Sequence, residues 1–366
     1  MRIPLLSFFT GGGFLDIGFE EVGFDIVWTN EANQVFAEMY EYGIAAWRRS
    51  TGACDSETRA SSRASITDLR AEEVVGQAFE GRSPALFGLI GGPPCADFSR
   101  CGKQKGAAGY YGSLTQAFVD MVCDLQPSFF LMENVPALYR SKRHRSFYDK
   151  VIAQLEIAAG YITDSTILNA LELGAPQDRE RLFVLGIHHQ LAKELLGSGP
   201  TPGSRGWFPW PEDRRYAGAR ELPWPTTSPF GEEPDRPKGI PIELTVYPLL
   251  GDRVEQLPNG NEHFKPRSSK FWERAEGDTR HKSFKRLHRF RYSPTASYGN
   301  NEVHLHPWKP RRLSVREALR IQTVPGGYIL PPEASLTAKF KLICNGVPCL
   351  MARRVAKSIA DLMARL

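Results

Sequence analysis

The stretch Ala85-Leu86-Phe87-Gly88-Leu89-Ile90-Gly91-Gly92-Pro93-Pro94-Cys95 constrains this chain more than any other. A short apolar run closed by Gly and Pro predicts a buried strand that stops abruptly. Proline supplies no amide hydrogen and restricts both its own φ and the residue before it. Cys95 is therefore presented from a stiff turn at a strand end, where open α/β sheets place their ligands. Alone, such a cysteine reads as a small buried hydrophobe. A second run, Ser128-Phe129-Phe130-Leu131-Met132, ends at Glu133-Asn134-Val135-Pro136, with Glu133 38 residues after Cys95. The segment Leu114 to Leu125 between them predicts a helix. Strand, helix, strand makes the two strands parallel neighbours, so both side chains emerge at one sheet edge. A thiol nucleophile facing a carboxyl acid is a chemical pair.

The chain before this pair predicts the first unit of a nucleotide-type fold. Residues 3–9 read as a strand, Thr10-Gly11-Gly12-Gly13-Phe14 as a glycine turn, Leu15 to Gly23 as a helix, and Phe24 to Trp28 as a second strand ending at Thr29-Asn30-Glu31. Glycines let the backbone approach a ligand, and the helix start offers free amides. The full G-x-G-x-x-G spacing of dinucleotide binders is absent. Glu31, about 20 residues after the glycines, stands where such folds grip a ribose diol. Residues 43–65 read as loop, and Ser65 to Leu69 as the end of a third strand. Residues 100–112 hold four glycines and three basic residues, which predicts a cationic flap beside Cys95.

Tyr161 to Asn169 is β-rich. Alternation then places Gln177, Arg179 and Arg181 on one face of an extended segment. The two arginines suit either a surface ladder with Asp178 and Glu180 or a grip on a polar ring and a phosphate. Ser314-Val315-Arg316-Glu317 is a capping box for a helix over Glu317 to Thr323. Leu342 to Pro348 reads as a strand and turn. Pro348 then opens a last helix with Met351, Val355, Ile359, Leu362 and Leu366 on its buried face.

With 366 residues, 42% of them hydrophobic, the chain can build one large domain plus a smaller one. It has no 18-residue apolar run, so a membrane span is not expected; Met1-Arg2-Ile3-Pro4 leads straight into strand-like sequence, so a signal peptide is not expected either. Six cysteines without a Cys-x-x-Cys pair argue against zinc and for a reducing, cytosolic setting. Residues 197–241 carry 10 of the 27 prolines and three of the seven tryptophans, which predicts irregular structure. Residues 263–291 carry ten Lys/Arg against three acids in a chain of net charge +5, interleaved with aromatics. That pattern fits a nucleic-acid backbone, although a charge run can equally be a solvated face.

Six motifs fall in the order and spacing of the DNA cytosine-5 methyltransferase family: Phe9-Thr10-Gly11-Gly12-Gly13, Pro94-Cys95, Glu133-Asn134-Val135, Gln177-Asp178-Arg179-Glu180-Arg181, Arg312-Leu313-Ser314-Val315-Arg316-Glu317 and Asn345-Gly346-Val347-Pro348. The chain resembles that family over residues 5 to about 188 and about 292 to 360. The resemblance implies an α/β fold: a Rossmann-like S-adenosylmethionine-dependent methyltransferase domain with a mixed, mostly parallel sheet (1–190 and 311–366), and a smaller irregular target-recognition domain (191–310). It further implies S-adenosylmethionine as cofactor and a monomer in the bacterial cytoplasm or nucleoid. Its partners would be duplex DNA and a cognate restriction endonuclease acting separately. Carried over, Cys95 resembles the nucleophile, Glu133 the acid on the pyrimidine ring, Asn134 its positioning neighbour, and Arg179 and Arg181 the pair beside the target base. Phe9, Gly11 and Gly13 match the cofactor loop, Glu31 the ribose ligand, Pro94 and Leu114 cofactor-side contacts, and Asn345 the tail residue near the methionine end. Ser65 and Ile66 fall at the adenine position, where Asp is usual. Phe14, Ser7, Ala96 and Cys344 also depart from the family pattern. An RNA cytosine-5 methyltransferase is the nearest alternative; the long insert over 190–310 favours DNA. A non-catalytic nucleic-acid-binding regulator is a further alternative, against which the intact Cys95, Glu133 and Arg181 argue; a nicotinamide-dependent dehydrogenase is another, but its glycine spacing is wrong and it gives Cys95 and Glu133 no joint task.

Overall fold

Side chains that alternate along the strands feed two separate cores. The computed structural model describes residues 2–52, 61–94, 110–197, 199–281, 283–298 and 302–366. Cys95, Ala96 and flap residues 100–109 lie outside the described residues. The strands are β1 (Pro4–Phe8), β2 (Asp25–Asn30), β3 (Gly88–Gly91), β4 (Phe129–Asn134), β5 (Tyr161–Asn169), β6 (Gln177–Asp178), β7 (Glu180–His188) and β8 (Ser293–Pro294). The helices are α1 (Phe14–Glu20), α2 (Gln34–Ser50), α3 (Ala71–Phe79), α4 (Tyr110–Leu125), α5 (Ala137–Arg140), α6 (Lys142–Ala153), α7 (His189–Leu196), α8 (Lys270–Glu273), α9 (Val315–Ile321), α10 (Leu336–Asn345) and α11 (Cys349–Met363).

Six strands form one sheet in the order β2-β1-β3-β4-β7-β5. The pairings from β2 to β4 are parallel, and β7 runs antiparallel to both β4 and β5. Along β4, Phe129 and Leu131 face one core while Phe130 and Met132 face the other, as the period of two requires. The first core is closed by α1 and α11, the second by α3, α4 and α6. Helices α1 and α11 approach so closely that a Cβ on Gly18 would stand 2.5 Å from the Arg353 nitrogen. Sequential order reverses between β1 and β3, and the chain leaves the sheet there through the glycine loop on one side and Gly92-Pro93-Pro94 on the other. This is the crevice at which doubly wound sheets bind ligands.

Four local expectations are corrected. Residues 43–50 are not loop: α2 runs to Ser50, with Phe36, Tyr40, Gly43, Ile44 and Trp47 on its buried face and Asn33 capping its start. Ser65 to Leu69 does not end a strand. It is a 3-10 turn over Ile66–Asp68, preceded by a single bridge from Asn30 to Ser62. Leu342 to Asn345 belongs to α10, whose apolar residues Phe340 and Ile343 follow helical spacing from a Ser335 cap. Leu366 is 58% exposed, because α11 stops at Met363, which takes the last buried position instead. The capping box holds in both directions, with α9 beginning directly after Ser314.

The proline-rich segment is irregular, but it is not detached. Trp207, Phe208 and Trp210 pack on the first core, and the Asp164 carboxylate accepts the Gly206 and Phe208 amides. Val246, Leu250, Leu287 and Tyr298 share a third core with Phe14 and α2, α9 and α10.

Candidate active site

Register brings the two strand ends together. Gly91 pairs with Met132, so Gly92 stands level with Glu133. A Cβ on Gly92 would lie 2.9 Å from Glu133 Oε2, so any other residue there would press that carboxylate out of its present position. Glu133 is buried, and its Oε1 lies 2.7 Å from Nε of Arg181. Burial pushes the Glu133 carboxyl above its ordinary range, and the charges of Arg181 and Arg179 pull it back in part. The pair comes from antiparallel neighbours, β4 and β7, where Glu133 sits opposite Phe183. Asn134, beside it, donates its amide to the Pro93 carbonyl at 3.4 Å and accepts the Val135 N–H on its own oxygen. The loop that leads to Cys95 is thereby tied to the strand that carries Glu133.

Of the three residues sharing a face by alternation, only Arg181 reaches Glu133. Arg179 is fully buried and donates to the Ala296 carbonyl at 3.1 Å and the Cys344 carbonyl at 2.7 Å. Gln177 donates to Gln322 Oε1 at 3.1 Å and accepts the Ala296 N–H. Asp178 and Glu180 do find arginines, but these are Arg220 and Arg140 from elsewhere in the chain. The ion-pair ladder is therefore real and is built by Arg140 and Arg220, while Arg181 pairs with Glu133.

The glycine loop follows β1 directly. Phe9, Gly11 and Gly13 all adopt left-handed backbone, φ 56°, 53° and 74°. Phe9 is the unusual member, since a bulky residue is strained there. A Cβ on Gly13 would meet the Tyr40 ring at 2.7 Å, and one on Gly12 would meet Leu342, whereas Gly11 faces open space. Glu31 closes the other side: its carboxylate accepts the Gly11 N–H at 3.0 Å and the Asn33 N–H at 2.8 Å. Burial raises its carboxyl, against the pull of those two amides. An open glycine beside an acceptor-only carboxylate fits a ligand that presents hydroxyls, as a ribose does.

Beneath the loop is a group the sequence did not flag. Asp16 is buried and accepts Ser7 Oγ at 2.7 Å and Tyr40 Oη at 3.0 Å. Burial pushes its carboxyl up to about 7. Ser7, one of the departures from the family pattern, is thus a partner of Asp16. Phe14, another departure, lies under the loop: a Cβ on Gly12 would stand 3.0 Å from its ring, which also packs edge-on against Tyr328 and fills the space beside Gly346.

The remaining expected contacts are dispersed around the same edge. Asn30 donates to the Ser62 and Ala64 carbonyls and so sets the position of Ser65, whose hydroxyl is 2.8 Å from Thr67 Oγ1. Ile66 and Leu114 are buried in the second core, and Pro94 is the last described residue before Cys95. Asn345 is exposed at the end of α10. Gln322 was also missed: fully buried, it donates to the Ile343 and Gly346 carbonyls and so holds the turn after Asn345. Its only sequence signal is its place one residue after a well-capped helix.

Mostly parallel order, a glycine loop after β1, an acid after β2 and an antiparallel β7 define the fold of S-adenosylmethionine-dependent methyltransferases. The C-5 cytosine-specific DNA methylase family matches residues 3–361, and the chain belongs to it. It is similar to the Type II methyltransferase M.NmeDI of Neisseria meningitidis serogroup C, with 42% identity covering 97% of this chain and 83% of that one. The Type II methyltransferase M.MthTI of Methanothermobacter thermautotrophicus is 28% identical, covering 98% and 97%. Among solved structures, S. pombe Dnmt2 methyltransferase superposes with a TM-score of 0.60 at 13% identity, covering 99% of both chains, a likeness of fold.

Proposed function

We propose that this protein is a DNA (cytosine-5) methyltransferase of restriction–modification type, acting on a cytosine flipped out of a specific duplex sequence through a covalent adduct on Cys95. The observation that carries this reading is the buried Glu133–Arg181 pair level with the Gly92 turn that leads to Cys95. Carbon 5 of cytosine is a poor nucleophile. Addition of the Cys95 thiolate to carbon 6 breaks the 5,6 double bond and makes carbon 5 electron-rich. The ring accepts that electron pair if charge at nitrogen 3 is neutralised, and Glu133, raised toward its protonated form, supplies the proton there. Arg181 fixes the carboxyl and offers its remaining N–H groups to the ring oxygen. Asn134 holds the approach of the Pro93-Pro94 turn. The Phe9–Gly13 loop, Glu31 and the residues around Ser65, Ile66, Pro94, Leu114 and Asn345 would hold S-adenosylmethionine, whose sulfonium would supply a methyl group to carbon 5 and depart as the neutral thioether. A solvent water then takes the carbon 5 proton, that C–H electron pair restores the 5,6 double bond, the Cys95 thiolate leaves carbon 6 and the nitrogen 3 proton returns to Glu133.

The target base is stacked inside a duplex, so extrusion costs about a few kcal/mol, offset by phosphate contacts from the 191–310 segment. The protein acts as a monomer, with a separate endonuclease as its restriction counterpart. Tritium transfer from labelled S-adenosylmethionine to duplex DNA and to tRNA, side by side, tests the reading. Transfer to DNA that disappears in Cys95→Ala, with covalent trapping on 5-fluorocytosine duplex, supports it. Transfer to tRNA alone, or full activity in Cys95→Ala, overturns it.

A further inference from the structure

The ten cations of residues 263–291 do not form one uniform basic face, because the fold sorts them. Arg286 and Arg289 are buried, Arg289 against Glu276 at 3.0 Å. Arg274 and Arg280 are held by Asp278. Lys285 and Arg291 are half-buried, with Arg291 over the Tyr292 ring. Lys265, Arg267 and Lys270 are exposed, and among the described residues none of the three pairs with an acid. On α8, two residues after Lys270, stands Trp272, 55% exposed. Lys282 lies outside the described residues.

The element that displays Trp272 is rigidly built. A four-residue helix has no stability of its own. Arg286 supplies it from beneath: Nε donates to the Arg274 carbonyl at 2.8 Å, and its terminal nitrogens donate to the Phe271 and His306 carbonyls. Burial pushes this guanidinium down to about 10, so the fold gives up solvation of a cation to fix one surface turn. Phe284, next to the turn, is a bulky residue in left-handed backbone, φ 58°, with Lys270 and Arg312 over its ring. Strain of this kind persists where surrounding contacts over-determine it.

A series of contacts joins the turn to α10. Arg312 lies over Phe264, Phe264 stacks on Phe340 of α10, and one helical turn further along α10 the Cys344 carbonyl accepts Arg179. That turn amounts to about 6 Å of rise.

We propose that Lys265, Arg267, Lys270 and Trp272 contribute to the surface by which this protein grips the DNA duplex, the three cations on phosphates and the indole in apolar contact with the nucleic acid. The occupant is duplex DNA by charge complementarity: three exposed cations that pair with no acid among the described residues, in the same short segment as an exposed indole, match a phosphate backbone. Glu273, exposed on the same helix, follows Trp272 directly.

The inference rests on the DNA methyltransferase reading, and the test separates the two. Duplex affinity is measured against salt concentration for the full chain, for Lys265→Ala/Arg267→Ala/Lys270→Ala together, and for Trp272→Ala, with S-adenosylmethionine binding measured in parallel. The triple variant is expected to flatten the slope of log affinity against log salt by up to about 2.7, at roughly 0.9 per phosphate contact. Trp272→Ala is expected to weaken duplex binding roughly tenfold with an unchanged slope. Cofactor affinity stays constant in both. If the wild-type protein methylates duplex DNA while both variants bind it with wild-type affinity and slope, the surface is wrong and the function stands. If the wild-type protein does not methylate duplex DNA, the function itself fails.

Discussion

Nε of Arg181 lies 2.7 Å from Oε1 of Glu133, and the second carboxylate oxygen of Glu133 faces the bare Cα of Gly92. A buried acid is thus held from one side by a cation and from the other by the absence of a side chain. Glu133→Gln keeps the shape and removes the transferable proton. Methyl transfer should fall by about 10²- to 10⁴-fold in single-turnover assays while S-adenosylmethionine binding is retained. Arg181→Ala removes a charge that lowers the Glu133 carboxyl, so that carboxyl should titrate at still higher pH, followed by carbon-13 NMR. The same change should destabilise the fold by about 3 kcal/mol, the lower end for breaking a buried pair.

Gly92→Ala places a Cβ 2.9 Å from Glu133 Oε2. The carboxylate must move, and a misplacement on the order of 1 Å costs about 10² in rate. The measurement is kcat against melting temperature: a large fall in kcat with a small fall in Tm supports the geometry, and an unchanged kcat contradicts it.

Gly13→Ala combines a left-handed φ of 74° with a Tyr40 contact at 2.7 Å. The strain should appear as about 1–3 kcal/mol of lost stability. Calorimetric titration should also show weaker S-adenosylmethionine binding, because the displaced Tyr40 sits under the loop. The same substitution at Gly23, whose φ is 101° but which has open space around it, should lose stability without changing cofactor affinity.

Asp16 couples stability to pH. Its carboxyl titrates near 7 in the folded protein against an ordinary 3.8, so the folded state binds the proton more tightly than the unfolded chain. The sign follows: this group's contribution is fully present below about pH 4 and is lost as pH rises through 7. Asp16→Asn has no such proton to lose. Its stability relative to wild type should therefore rise between pH 4 and pH 8 in denaturant titrations, and a constant difference would exclude the coupling.

Much of the scaffold was legible because its signals are local. The run at 88–91 and the run at 129–134 are apolar and closed by Gly or Pro, and they became parallel neighbours because a single helix joins them. The Ser314 cap and the α11 stripe were readable for the same reason. The failures also have physical causes. Composition rich in Ser, Arg and Ala over 43–65 hid the end of α2, whose buried face includes Gly43 only because Tyr328, far along the chain, packs there. Leu342-Ile343 looked like a strand end because the segment before Asn345-Gly346 is short and apolar, yet it completes a helix begun at Leu336.

At the site, the sequence by itself determined which chemical groups are available: a thiol after two prolines, a carboxyl at a strand end, two arginines two residues apart and a glycine loop followed by an acid. Residue order and spacing were enough, because each motif is a strand terminus or a turn whose geometry the local residues dictate. Only the tertiary structure decided which group meets which. It sent Arg181 to Glu133 and Arg179 to the carbonyls of Ala296 and Cys344, placed Ser7 and Tyr40 on Asp16, and turned Arg286 inward to leave Lys265, Arg267 and Lys270 in solvent. Those pairings join residues up to 165 positions apart, and they depend on which charges the packed chain buries.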